Sequence, residues 1–298
     1  MKNRLRAWMP NFVLGWYRKW KKKRVNQELQ QQKSKGAIWL KNDFVTQLKN
    51  IGIVEGDVLL VHSSLSKIGY VDGGAQTIID ALLEAVGEKG HLLMPNSPND
   101  SFQLDYIQKN PVFDVLHSPS KLGKITETFR LMPQAMRSES PTEPVSCIGP
   151  NAAYFVGTHF GNETPYNQNS PFYKVAKAKG KILYIGVTLD NAGTSLHVLE
   201  DLVDSFMFPV YYPETFSVQV IDAQGKVKEM KTKVHNPEQS KLRKCDELLP
   251  LFEREQAMKR VKFGNAETIL FDAYTMLEVM LKAYKKDQVT MYTPNGIK

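Results

Sequence analysis

Three short apolar runs without alternation, at residues 58–61, 91–94 and 181–187, constrain this chain most. A strand that is apolar at successive positions needs cover on both faces, which points to parallel pairing inside a layered α/β fold and away from a half-exposed antiparallel sheet. The neighbouring residues agree. A turn at Gly56-Asp57 opens the first run, residues 75–86 show helical periodicity closed by Gly87, and the second run stops at Pro95. Ser170 and Pro171 start another helix, which Gly180 ends before the third run. The expected fold class is α/β: a central, mostly parallel sheet with flanking helices, plus a C-terminal lobe of a β-hairpin and helices. That hairpin pairs 216–221 with 227–234 across the turn residues 222–225, and helices at about 246–258 and 274–285 flank a short strand near 268–271. Asn42 is expected to cap a helix ending near Gly52. Residues 96–142 carry little regular pattern beyond a helix over 123–131, which suggests a long functional loop.

The net charge of +8 is local. Residues 1–35 hold eleven Lys or Arg and one acid, Glu28, whereas 28 basic side chains face 30 acidic ones in the rest. A nearly neutral body gives no support for a nucleic-acid partner. The expected organisation is a basic amphipathic extension over 1–35 and a single domain over 36–298. In the extension, Leu5, Trp8, Met9, Phe12, Val13, Trp16, Tyr17 and Trp20 recur at helical spacing beside Arg18, Lys19 and the basic run 21–24, with Pro10 interrupting the first turn. A basic, aromatic helix of this kind suits a bilayer interface, and it equally suits packing on the body or on a second subunit of a homo-oligomer. No apolar run reaches about twenty residues and no small-residue cleavage site follows, so neither a spanning helix nor a secretory signal is expected. Cys147 and Cys245 lie far apart, which excludes a disulfide scaffold. A reducing, cytoplasmic setting, with peripheral contact at the inner membrane face through the extension, is the expectation.

The six histidines are spread along the chain, and no Walker loop, GxGxxG or HExxH is present. One stretch stands out: Thr194-Ser195-Leu196-His197-Val198-Leu199-Glu200 follows a buried strand and opens a helix, where α/β folds bind ligands. His197 and Glu200, three apart, share a helix face, so the carboxylate can orient the imidazole and support its positive charge. Thr194 and Ser195, in the first turn, offer hydroxyls and unpaired N–H groups to an anion or a developing oxyanion. His62-Ser63-Ser64 at a strand end lacks the glycines of a nucleophile elbow, and small hydroxyl residues there more naturally donate to a cofactor phosphate or amide than attack a substrate. Chance spacing accounts for many His-x-x-Glu pairs, and plain capping is the bland alternative for the serines.

Several segments in register carry a family resemblance: GDVLLVHSSL, GGAQTIIDALLEAVG, HLLMP, MRSESPTEPVSCIG, NSPFYKVAKAKGKILYIGV, TSLHVLEDL and VKFGNAETILFDA. From about residue 38 to about 285 the chain resembles the aminoglycoside 3-N-acetyltransferase family. The resemblance implies that family's own α/β fold, acetyl-CoA as cosubstrate, no metal, and transfer of an acetyl group to an amine on a sugar. It assigns His197 and Glu200 to the base pair, with Thr194 beside them, and His62, Ser63, Ser64, Gly123 and Ser195 to the cofactor side. Glu139, Glu143, Asp201 and Asp204 are the acids available to a cationic amino sugar. Antibiotic-modifying members read Arg-Ser-x-His-Pro where this chain has Arg137-Ser138-Glu139-Ser140-Pro141, which leaves the acceptor open. The alternatives are an N-acyltransferase for a nucleotide- or lipid-linked amino sugar of surface polysaccharide, and a non-catalytic membrane-associated relative that binds CoA or a glycan. A direct transfer needs neither cysteine as nucleophile.

Overall fold

The computed structural model describes residues 11–297. Along the chain its principal elements are α1 (Asn11–Ser34), α2 (Lys41–Asn50), β1 (Val58–Ser63), α3 (Ala75–Val86), β2 (His91–Pro95), α4 (Gln103–Lys109), β3 (Val112–Asp114), α5 (Lys124–Arg130), β4 (Met136–Arg137), β5 (Val145–Ile148), α6 (Pro171–Lys177), β6 (Lys181–Ile185), α7 (Val198–Leu202), β7 (Phe216–Ile221), β8 (Val227–Thr232), β9 (Met258–Phe263), β10 (Ala266–Asp272) and α8 (Ala273–Asp287).

The three apolar runs form the centre of a seven-stranded sheet of order β4-β5-β2-β1-β6-β10-β9. β1 pairs in parallel with β2 and with β6, and antiparallel pairs extend the sheet at both edges. Alternate side chains serve opposite cores. Leu60, Leu93, Ile182 and Tyr184 point into one apolar cluster, while Leu59, Val61, Leu92, Leu183 and Ile185 point into the other. The unbroken hydrophobicity of these strands is thereby accounted for, since each face is covered by helices. α6 starts where the sequence places it: the Ser170 hydroxyl accepts from the Tyr173 N–H at 3.2 Å, and Pro171 opens the helix.

Several local expectations need correction. Helix α2 is not capped by Asn42; the Asp43 carboxylate accepts from the Leu40 N–H at 2.8 Å, and Asn42 lies inside the helix. The helix expected over 246–258 is a 3-10 turn (Cys245–Leu248) and a short helix (Leu249–Arg254) that end at Gln256, whose φ is +56°. Met258 then begins β9, drawn into an antiparallel ladder with β10 by pairing that local propensity does not encode. Residues 96–142 are more ordered than their pattern suggests, because β3 pairs in parallel with the distant β7. The hairpin β7–β8 thus belongs to a second, three-stranded sheet of order β3-β7-β8 with its own small core.

Helix α1 touches the body through one stripe. Val25, Leu29 and Gln32, at i, i+4 and i+7, are half-buried, and the Gln32 side-chain oxygen accepts from the Tyr70 N–H at 2.8 Å. Of the two alternatives for the aromatic face, packing on the body is not what Trp16 and Trp20 do: they are 68% and 46% exposed. Leu5, Trp8, Met9 and Pro10 lie outside the described residues, as do the side chains of Phe12, Val13 and Arg18. Among the described residues, no helix is long and apolar enough to cross a membrane.

Candidate active site

A cavity of about 300 Å³ opens beyond the carboxyl ends of β1 and β6, the point where the chain has laid strands on both sides of β1. Crevices of this kind are where open α/β sheets take their ligands. β1 delivers His62 and Ser63 to its wall. After β6, Gly186 (φ +64°) turns the chain, and the Asp246 carboxylate accepts from the Leu189 N–H at 2.8 Å, fixing the segment that leads to the 3-10 turn Thr194–His197. Thr194 and His197 reach the cavity from that turn, and Glu200 lies behind them on α7.

Glu200 is the hub of a buried network. One of its oxygens, Oε2, accepts from Nδ1 of His197 at 3.0 Å and from Nε2 of His235 at 2.8 Å, and Oε1 accepts from the Tyr292 hydroxyl at 2.9 Å. Burial alone would raise this carboxyl, yet the His197 and His235 charges and hydrogen bonds outweigh it and hold Glu200 well below the usual carboxylate range. Glu200 is therefore ionised. With Nδ1 committed to the carboxylate, Nε2 of His197 is the nitrogen available to the cavity that this residue lines. Burial lowers the His197 pKa, while Glu200 counteracts the fall. The ligand atoms of His197, Glu200 and His235 lie within 4.8 Å of one another, but one carboxylate oxygen already joins both rings by hydrogen bonds.

Aromatic packing sets the ring planes. His197 and His235 lie 4.4 Å apart between centroids, Tyr166 packs on both, and Tyr211 stacks on His235 at 5.1 Å with planes 6° apart. Across the cavity, burial pushes the Glu143 carboxyl up to about 7, although Gln103 donates to it at 2.7 Å. His62 stacks on Tyr184, and burial lowers its pKa to about 3, so it is neutral; its Nε2 lies 3.3 Å from the Thr194 hydroxyl.

Of the residues singled out in the sequence, His62, Ser63, Glu143, Thr194 and His197 share this cavity. Glu200 supports it from behind. Ser63, Ser64 and Gly123 line a second groove that adjoins the cavity. Four assignments move away from both. Ser195 has a buried hydroxyl with no hydrogen-bond partner and does not line the cavity, because the 3-10 turn directs Thr194 and His197 there instead. Glu139 is half-buried in an ion pair with Lys228. Asp201 braces the aromatic wall, accepting from the Tyr211 hydroxyl at 2.6 Å and the Tyr166 N–H at 3.1 Å. Asp204 is exposed at the end of α7. Arg137 is buried and pins the loop around Asn96.

Sequence reasoning missed His235, Tyr292, Tyr166, Gln103 and Arg243. The histidines that look scattered in sequence converge: His62, His197 and His235 all line one cavity. No local signal marks His235, which follows the hairpin strand β8 and reaches Glu200 only through the tertiary fold. Cys245 also borders the cavity, with its thiol pushed up to about 12 by burial, so it stays protonated.

A buried carboxylate that orients an imidazole toward an open cavity is equipment for moving a proton, and the mixed sheet around it defines an α/β enzyme-like fold. A family model described as aminoglycoside 3-N-acetyltransferase matches residues 60–285. The chain belongs to the aminoglycoside 3-N-acetyltransferase family. Aminoglycoside N(3)-acetyltransferase IX of Micromonospora chalcea is 32% identical over 170 residues, which cover 53% of this chain and 60% of that protein. The chain thus matches about 60% of that curated relative's length. Among solved structures, an AAC-VIa enzyme bound to sisomicin is 28% identical with a TM-score of 0.69, covering 82% of this chain and 96% of that one. An AAC-IIIb enzyme solved as a binary complex with CoASH shares the fold, at a TM-score of 0.70 and 22% identity, over 84% of this chain and 97% of that one.

Proposed function

We propose that this protein is an acetyl-CoA-dependent N-acetyltransferase that acts on an amine of an aminoglycoside-type amino sugar by direct transfer. Acetyl-CoA supplies an activated thioester carbonyl. His197 Nε2 takes a proton from the acceptor amine as the new C–N bond forms, and the resulting imidazolium returns it to the departing thiolate. Glu200 is a positioning residue: it fixes the tautomer of His197 and stabilises the transient cation. The Thr194 hydroxyl, held against His62 Nε2, is placed to donate to the carbonyl oxygen as charge develops there. Glu143, the carboxyl on the cavity wall, is the group that would receive a second ammonium of the sugar. The observation that carries this reading is the His197–Glu200 hydrogen bond at the wall of a cavity roomy enough for a ligand. Family membership supports the choice of donor and acceptor. The test is to incubate the protein with acetyl-CoA and separate panels of aminoglycosides and nucleotide amino sugars, following free thiol release. Acceptor-dependent release with aminoglycosides is expected; release that ignores every amine would overturn the reading.

The exposure of Trp16 and Trp20 beside lysines supports peripheral contact of α1 with an anionic lipid surface.

A further inference from the structure

A second groove, about 510 Å³, runs between helix α1 and two body segments, the Ser63–Ser66 stretch and the start of α5. It adjoins the cavity described above, and Ser63 and Leu122 line both. Its lining includes Lys21, Lys22 and Lys124 and no carboxylate. Lys21 and Lys22 are exposed and have no carboxylate partner among the described residues, unlike Arg24, which pairs with Glu28 at 3.0 Å. At the junction with the cavity the Ser63 hydroxyl is buried without a hydrogen-bond partner. Gly123, at φ +118°, leaves open space on the groove wall where a side chain would stand. The helix is held in place by Gln32 on Tyr70 and by the Lys33 ammonium 5.3 Å over the Tyr70 ring.

We propose that this groove receives the phosphorylated nucleotide end of coenzyme A, and that Lys21 and Lys22 on α1 bind its phosphates. The inference rests on the acetyl-transfer reading above. A thioester delivered to His197 must trail its carrier outward, and the groove that adjoins the cavity at Ser63 and Leu122 is cationic and lined by no carboxylate. Phosphate groups there meet ammonium groups at close range, while the Ser63, Ser64 and Ser66 hydroxyls lie along the path of the arm. Lys124 lies inside the family-matched segment, 60–285, whereas Lys21 and Lys22 lie outside it, so the extension adds two cations to the one that the matched body supplies.

The experiment uses the full chain, a Lys21→Glu/Lys22→Glu variant, and a Lys19→Glu/Lys23→Glu control that changes the net charge equally at positions that do not line the groove. CoASH binding is read by calorimetry, and turnover is followed with acetyl-CoA, its 3′-dephospho form and acetyl-pantetheine. The groove variant should weaken CoASH binding and raise the KM for acetyl-CoA by roughly tenfold or more, with kcat and the acceptor KM unchanged. The difference should shrink for the dephospho donor and vanish for acetyl-pantetheine. CoASH affinity equal to that of the parent, or a loss no larger than in the control pair, overturns the proposal. The two readings fail separately: lysine-dependent CoASH binding without amine acetylation refutes the transfer reaction alone, and normal turnover indifferent to these lysines refutes the groove alone. Melting curves of both variants establish that the exposed substitutions leave the fold intact.

Discussion

At the scale of single residues, the proposed chemistry falls on one imidazole, His197, whose Nδ1 is bonded to Glu200 and whose Nε2 is left to the cavity. His197→Ala should lower kcat by roughly 10² to 10⁴, the range for loss of a general base, with circular dichroism unchanged. Glu200→Gln keeps the shape of the hub and removes its charge. Because the Glu200 charge raises the His197 pKa, the Gln variant should show a lower kcat plateau and an acid limb of kcat/KM shifted to lower pH; an unchanged limb would remove Glu200 from its positioning role. Burial pushes the Glu143 carboxyl up to about 7, so a carboxylate that receives an ammonium should gain strength as pH rises through that value. With an acceptor whose amines stay protonated over this range, the acceptor Kd should fall between about pH 6 and 8, and Glu143→Gln should flatten that fall and weaken acceptor binding above about pH 7, as calorimetry would read. The His197–Glu200 pair was legible in the sequence because helical spacing alone brings residues three apart together. His235 and Tyr292 were not, since they reach the same carboxylate from 35 and 92 residues away.

At the scale of elements, strands buried on both faces announce themselves, and strands recruited by a distant partner do not. β1, β2 and β6 were readable from composition, whereas β9 looked like the end of a helix and β3 like loop. The same limit applies to α1. Its amphipathic pattern was visible, but the pattern could not distinguish the Trp16 and Trp20 rings, which are exposed, from the Val25–Leu29–Gln32 stripe that meets the body. The lipid contact proposed for those rings has a direct check in the full chain. The parent should co-sediment with vesicles containing phosphatidylglycerol, less so with phosphatidylcholine alone or in high salt, and Trp16→Ala/Trp20→Ala should remain in the supernatant. Equal pelleting of variant and parent would show that the rings do not anchor the helix.

At the scale of the whole molecule, the buried histidines tie stability to pH. Burial lowers His62 and His235 to about 3 and His159 to about 4, from an ordinary 6.5. The unfolded chain therefore takes up protons near 6.5 that the folded chain refuses until pH 3 to 4, so folded stability falls as the solution is acidified through that window. Glu200 acts in the same direction at lower pH: its folded pKa is depressed, so its contribution is present above the unfolded value and is lost as pH falls through the folded one. Calorimetric melting should give a Tm that drops steadily from about pH 7 to about pH 4.5; a flat Tm over that interval would contradict the buried, neutral state of these rings. The sequence by itself determined the layered α/β core, the helical step that couples His197 to Glu200, and the segregation of positive charge into residues 1–35, because all three depend on spacing along the chain. Only the tertiary structure decided which remaining side chains share the cavity and that α1 lies over its outer extension. Those placements depend on strand pairing and packing between residues far apart in sequence, which no local pattern records.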